Sequence, residues 1–302
     1  LIGASLFAEG QSPFDNLALE EALLEREAPT ETLLLFYVNS PCAIVGRNQN
    51  PWAEVSPRSG LPVLRRVSGG GAVYQDGGNL NWALIVPREA HDREAELALI
   101  AGALSELGID VESGPRGGLF VASGSYAGCK LSGTARRLSA RKVLHHGTLL
   151  VDADLSALGS CLGGIEPSDT RALPSVSSPC VNLSTLIPGM TLESAASHLS
   201  SSLASRASEP LSLGNLGSEV ERDYGAQASR RLRSWDWTWA STPPFSISLR
   251  SRAGIVALAI KAGLVASASG PGEELLLPYI GQRFDYGLPD ACLRALEEGR
   301  IH

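Results

Sequence analysis

The chain has 302 residues, 44% of them hydrophobic and 19% charged, with a formal net charge of −7. That length supports a sizeable core, one large domain plus a small one, and the acidic balance argues against non-specific nucleic-acid binding as the main task. No apolar run reaches the roughly 18 residues of a membrane span, and the five scattered cysteines include no CxxC pair of the kind that marks a zinc site or a disulfide framework.

Ser12-Pro13-Phe14-Asp15 opens a helix, with a capping serine, a proline suited to the first helical position and an acid in the first turn. Phe14, Leu17 and Leu24 give that helix an apolar face to about Glu27. Thr32 to Val38 and Cys42 to Val45, parted by Asn-Ser-Pro, predict two strands. Pro62 to Val67 and Ala72 to Tyr74 predict two more, followed by one at Leu80 to Val86. Asp92 to Leu107 is predicted helical and is closed by Gly108. Further strands are expected at Ile109 to Glu112, Gly118 to Ala122, Tyr126 to Leu131 and Val143 to Val151, with another starting at Thr134. Many strands with few helices between them predict an α+β domain, a mixed, mostly antiparallel sheet with flanking helices.

From Asp152 the texture changes. Short helices are expected around Leu155 to Leu158 and Val181 to Leu186, and a longer one from Thr191 to Ala207. Ser208 to Ser218, with Pro210, Gly214 and Gly217, reads as a linker. A polar helix at Glu219 to Arg233 precedes Trp235, Trp237 and Trp239, which are expected to anchor packing. Strands at Ser246 to Arg250 and Ile255 to Ala262 and a helix from Pro289 to Glu298 complete a small α+β unit. The expected division is therefore 1–207, a linker at 208–218, and 219–302.

The chemistry concentrates in Arg65 to Asn81, RRVSGGGAVYQDGGNLN. Glycine tolerates positive φ and admits a ligand close to the backbone, and three in succession carry an entropic cost. The run is neither a Walker A loop nor a dinucleotide GxGxxG, and a hairpin turn alone would also account for it. Downstream, Arg116 to Val151 contains no carboxylate but holds Arg116, Lys130, Arg136, Arg137, Arg141 and Lys142. Such a segment in an acidic protein suits a phosphate-bearing ligand. Lys130 stands out, set among apolar and small residues rather than in a charge run, with three donors able to hold a carboxylate and a phosphate oxygen together. His145 and His146 are adjacent in a strand and point to opposite faces, so they do not share an ion, and no metal-ligating set is identified. Cys129 reads as an inert thiol.

The glycine stretch resembles the signature of the lipoate–protein ligase family, which includes lipoyltransferases. Val45 to Trp52, Lys130 to Ala135 and His145 to Leu150 resemble three more blocks of that family in its order, and the resemblance covers roughly residues 10 to 300. The tryptophan cluster resembles the start of the accessory domain of bacterial long-form members. The resemblance implies a biotin/lipoate ligase-like catalytic domain that uses ATP with Mg²⁺ to convert lipoate to lipoyl-adenylate. The lipoyl group would then pass to a lysine of a carrier domain, of the 2-oxo acid dehydrogenase E2 or glycine-cleavage H protein type. It implies Lys130 as the catalytic residue, in contact with both nucleotide and lipoate. Arg66, Gly69, Gly70, Gly71, Ala72, Val73, Tyr74 and Asn79 would bind the ATP or adenylate, and Gly71 and Val73 the lipoate, with Trp82 or Val73 lining an apolar channel. A monomer acting in the cytoplasm, with neither nucleic acid nor membrane as partner, is expected; the scattered cysteines fit a reducing compartment.

One departure stands out. Where family members carry an acid ahead of the strand leading to the lysine, this chain reads Gly114-Pro115-Arg116-Gly117-Gly118. That keeps open a lipoyl or octanoyl transferase that uses a preformed acyl donor, and a non-catalytic binding paralogue.

Overall fold

The structure is a computed structural model describing residues 2–7, 11–25, 32–114, 116–205 and 219–299. The predicted linker at 208–218 lies outside the described residues. The first elements are β1 (Ile2–Phe7), α1 (Pro13–Glu25), β2 (Thr32–Val38), β3 (Cys42–Val45), the one-turn α2 (Pro51–Glu54), β4 (Val63–Arg65), β5 (Val73–Gln75) and β6 (Asn79–Pro87). Next come α3 (Arg93–Glu106), β7 (Val111–Ser113), β8 (Leu119–Val121), β9 (Lys130–Ser132), β10 (Thr134–Leu138) and β11 (Lys142–Leu150). They are followed by α4 (Leu155–Cys161), β12 (Asp169–Thr170), α5 (Leu183–Leu186), α6 (Leu192–Ala204) and α7 (Glu219–Leu232). A π-helical turn at Asp236–Ala240 leads to β13 (Phe245–Ser251), β14 (Gly254–Lys261), β15 (Leu264–Ser269) and α8 (Leu288–Glu298).

The main sheet runs β1-β2-β6-β11-β10, with β1 parallel to β2 and the other pairs antiparallel. This is the expected mixed, mostly antiparallel sheet with flanking helices. Its centre, β6, is buried along its whole length because helices cover both faces. Alternation along the strands sorts the side chains. Leu34, Phe36, Leu80, Trp82 and Leu84 face Leu97, Ile100 and Leu104 of α3 and Leu199 and Leu203 of α6. Leu33, Leu35, Ala83, Ile85 and Leu144 face Leu23 and Leu24 of α1. Ser12 caps α1, accepting from the Asp15 N–H at 3.4 Å, and Asp92 caps α3, accepting from Glu94 and Ala95.

Two three-stranded sheets carry the chemistry-bearing loops: β4-β3-β5, and β7-β8-β9. The strand expected from Tyr126 is mostly a turn. Gly124 and Gly128 sit at positive φ and bend the chain, and the ladder with β8 pairs Ser132 with Leu119 and Lys130 with Phe120. A fourth sheet, β12-β13-β14-β15, packs with α8 around Phe245, Leu258, Phe284, Cys292 and Leu296. Trp52 of α2 enters that core, its ring 4.8 Å from Trp239 and 5.2 Å from Phe284. β15 escaped the sequence because Leu264–Ser269 is mostly alanine and serine, with little apolar alternation to mark it. α7 lies against α1, where Ala228 and Leu232 meet Leu17 and Ala18. Among the described residues, no helix is long and apolar enough to cross a membrane.

Candidate active site

The glycine run forms a loop between β4 and β5, and Arg66 folds into it. Its Nη2 donates to the carbonyls of Gly69 (2.5 Å) and Gly71 (2.8 Å), its Nε to Ser68 Oγ (3.0 Å), and its Nη1 to the Ile44 carbonyl (3.2 Å). A trans peptide sets its N–H opposite its C=O. With the Gly69 and Gly71 carbonyls turned in to Arg66, the N–H groups of Gly70 and Ala72 therefore turn out. The Ala72 N–H does meet an acceptor there, Ser175 Oγ at 2.8 Å. Gly70 adopts φ +85, and its carbonyl lies where a Cβ on Gly46 would be 2.1 Å away, so the close approach demands glycine at 46. The outward Gly70 N–H is a donor of the kind that holds phosphate or carboxylate oxygens, and that of Ala72 is held by Ser175. Burial lowers Arg66 to about 10, which leaves it charged at neutral pH.

Lys130 opens β9. Its chain lies over two glycines: a Cβ on Gly118 would be 2.9 Å from Cε, and one on Gly133 would be 3.3 Å from Nζ. Among the described residues Nζ has no hydrogen-bond or ion-pair partner, and it sits 5.9 Å from the centre of the Phe120 ring. Desolvation lowers its pKa, opposed by Cys180 and reinforced by Arg116 and Arg66. An ammonium that is partly desolvated, close to two guanidinium groups and without a carboxylate is set to take an anion.

Arg66, Gly69 to Gly71, Ala72 and Lys130 thus come together. Val73, Tyr74 and Asn79 turn their side chains into packing or buried hydrogen bonds. Val73 packs beside Ile44 and Leu64, and Tyr74, on the other face of β5, packs with Val45 and Cys161. Asn79 is wholly buried at the start of β6, its amide donating to Asn81 Oδ1 at 3.1 Å. Trp82 is also fully buried, edge-on to His145. The basic segment divides as well. Lys142 is buried and donates to the Leu23 carbonyl in the last turn of α1, where a cation complements the helix dipole. Arg136 reaches His91. Burial lowers the pKa of Arg47, and the nearness of Arg137 adds to it. A groove of about 730 Å³ between α1 and α7, lined by Ala18, Leu19, Gly225 and Arg230 among others, includes none of the expected site residues.

Ser175 was not singled out from the sequence. Besides Ala72, it accepts from Gln49 Nε2 (3.0 Å), and its own N–H donates to the Glu54 carboxylate (3.2 Å). The surrounding Leu173 and Val176 are exposed. An isolated serine in a Ser-rich stretch carries no signal of this role. His145 and His146 diverge as expected: His145 Nδ1 meets Glu96 of α3 at 2.6 Å, and His146 Nδ1 meets Glu20 of α1 at 2.9 Å. Each histidine ties one helix layer to the sheet. Among the described residues no group of three or more His, Cys, Asp or Glu is placed to hold a metal ion.

Comparison with known proteins agrees with this fold. The family described as "Lipoyl protein ligase A/B catalytic domain" matches residues 12–204. An archaeal bipartite lipoate protein ligase from Thermoplasma acidophilum, characterised with its E2 lipoyl domain, is similar in fold. Its TM-score is 0.66 at 21% identity, covering 79% of this chain and 96% of that one. A P. falciparum protein solved in complex with lipoate has a TM-score of 0.64 at 22% identity and covers 97% of this chain and 88% of that one. A lipoate-protein ligase A solved with ATP gives 0.64 at 20% identity, covering 79% and 98%. The P. falciparum match extends the likeness of fold over the C-terminal sheet. This chain belongs to the lipoyl protein ligase A/B family.

Proposed function

We propose that the chain is a lipoate–protein ligase. Lipoate and Mg·ATP give lipoyl-adenylate and pyrophosphate, and the lipoyl group then passes to the ε-amine of a lysine on a carrier domain. The observation that carries this reading is the unpartnered Lys130 ammonium beside a loop whose Gly70 and Ala72 N–H groups face outward. In the first step a lipoate carboxylate oxygen bonds to the α-phosphorus, and the bond to pyrophosphate breaks. The reacting groups are both anionic, so holding them together is the main task, and Lys130 with the loop amides does that. In the second step the carrier amine attacks the acyl carbonyl, AMP leaves, and the amine loses a proton. Lys130 then faces the developing oxyanion. Mg²⁺ enters with ATP as substrate; the described residues offer no carboxylate set to hold it independently. The relatives named above bind lipoate or ATP, or act with an E2 lipoyl domain, which supports the same substrates and carrier class here. We further propose 1–207 as the catalytic unit and 219–302 as an accessory unit, supported by the core that β13 to β15 and α8 form, to which the first unit lends β12 and Trp52.

Mass spectrometry with free lipoate, ATP and a panel of carrier domains tests the reading, together with pyrophosphate release. A second reading, transfer from a preformed acyl donor, rests on the approach to β8. There Gly117 is flanked by Arg93 and Thr134, and residues 114–118 include no acid. Lipoyl transfer from supplied lipoyl-adenylate without pyrophosphate release from free lipoate would favour it.

A further inference from the structure

A buried chain of hydrogen bonds runs from α1 to the glycine loop. Glu20, Tyr37, Ser68 and His146 come from four different elements, and their exposures are 1%, 2%, 1% and 6%. Glu20 accepts from Tyr37 Oη at 2.9 Å, and both of its oxygens lie 2.9 Å from His146 Nδ1. His146 Nε2 lies 2.6 Å from Ser68 Oγ, and that oxygen accepts from Arg66 Nε at 3.0 Å. With a neutral imidazole, the partners fix the direction of each bond. A carboxylate only accepts, so Nδ1 carries the proton. Nε2 then accepts, and the Ser68 hydroxyl donates to it. That leaves the lone pairs of Ser68 for Arg66. The order of donors ends at the guanidinium whose other arm holds the Gly69 and Gly71 carbonyls inward.

We infer that Glu20, Tyr37, His146 and Ser68 are positioning residues for the nucleotide-facing loop. They fix the rotation of the Arg66 fork, and through it the outward direction of the Gly70 and Ala72 N–H groups. Burial of the network is what makes it directional, because Arg66 and Ser68, 6% and 1% exposed, have little access to solvent partners. The buried carboxylate also offsets the buried guanidinium: Glu20 draws Arg66 upward against desolvation. None of the four needs to touch substrate. The inference rests on the reading of the loop as the adenylate cradle.

The test compares the full chain with Ser68→Ala, Glu20→Ala, Glu20→Gln and Tyr37→Phe. Two quantities are read: amide exchange across residues 66–74, and the affinity for a non-hydrolysable lipoyl-adenylate analogue. Ser68→Ala is expected to speed exchange in that segment and to weaken analogue binding, each by about tenfold, the loss of roughly one hydrogen bond's worth of order. Its melting temperature should stay near that of the wild type. Glu20→Gln keeps an acceptor for the imidazole N–H and should restore both readouts, whereas Glu20→Ala should not. Tyr37→Phe removes one hydroxyl and keeps the ring, and it reports in the same way if Ser68→Ala fails to fold. Folded variants with unchanged exchange at 66–74 and unchanged affinity would overturn the inference, as would a loss of melting temperature with no specific effect on the loop. If the wild type binds no analogue while the exchange differences persist, the ligase reading falls and the positioning network stands.

Discussion

Arg65 and Arg66 leave the end of β4 in opposite directions and organise two different parts of the molecule. Arg65 is fully buried and donates to the carbonyls of Gly46, Arg47 and Gln49, to Thr238 O and to Thr242 Oγ1. It therefore fastens the tryptophan-bearing turn to the loop after β3, and Trp237 Nε1 donates back to the Arg65 carbonyl at 2.6 Å. Arg66 turns the other way, into the glycine loop. Strand alternation lets two adjacent cations serve structure and chemistry without sharing partners.

Arg65→Ala should therefore destabilise the chain by at least about 3 kcal/mol, since several buried carbonyls lose their donors together. Chemical denaturation measures the loss, and limited proteolysis should show new cleavage between residues 233 and 244. Arg66→Ala should act chiefly on adenylate formation. Equal stability losses with equal activity would contradict this division of labour.

Gly46→Ala places a Cβ 2.1 Å from the Gly70 carbonyl, so the loop must move. Pyrophosphate release should fall on the order of tenfold or more, the consequence of misplacing loop donors by an ångström or so. Gly77→Ala is the matched control, because its Cβ meets nothing within 4 Å. Wild-type turnover in Gly46→Ala would show that the loop tolerates the shift.

Lys130→Ala should slow both half-reactions, each on the order of 10²–10³. Lys130→Arg should rescue poorly, because a planar fork does not replace a compact ammonium between two oxyanion positions. Arg141→Ala, exposed in the turn before β11, should cost far less. The lowered pKa of Lys130 has a stability consequence of definite sign. Above its folded pKa and up to 10.5, the unfolded chain holds more protons, so stability rises with pH in that window. Lys130→Met should therefore melt higher than the wild type at neutral pH, with the gain shrinking toward pH 10.5. A lower melting temperature for Lys130→Met would mean that the ammonium is stabilising where it stands.

Glu21 of α1 gives a second pH-dependent test. Burial pushes its carboxyl up to about 7 from 4.5, against the pull of Arg231 on α7, and among the described residues its Oε1 has no hydrogen-bond partner. Between about 4.5 and 7 the folded chain keeps a proton that the unfolded chain has lost. The contribution of Glu21 is therefore fully present below 4.5 and is lost as pH rises through 7. Denaturation midpoints of Glu21→Gln against wild type should converge at low pH and separate in favour of the variant above pH 7. A constant difference across that range would mean that the group titrates normally.

Local patterns in the sequence were enough to determine the α+β class, the divergence of His145 and His146 and the glycine loop. Each of these depends on backbone preference or strand periodicity within a few residues. Whether a polar residue is spent on structure or left for a ligand was decided by the tertiary fold. Lys142 belongs to the same carboxylate-free segment as Lys130, yet it closes α1 through Leu23, 119 residues away. His146 finds Glu20 across 126 residues and Ser68 across 78. Ser175 reaches Ala72 across 103. The physical reason is that periodicity sets which face a side chain takes, while the partner on that face depends on which helix the topology lays over the sheet.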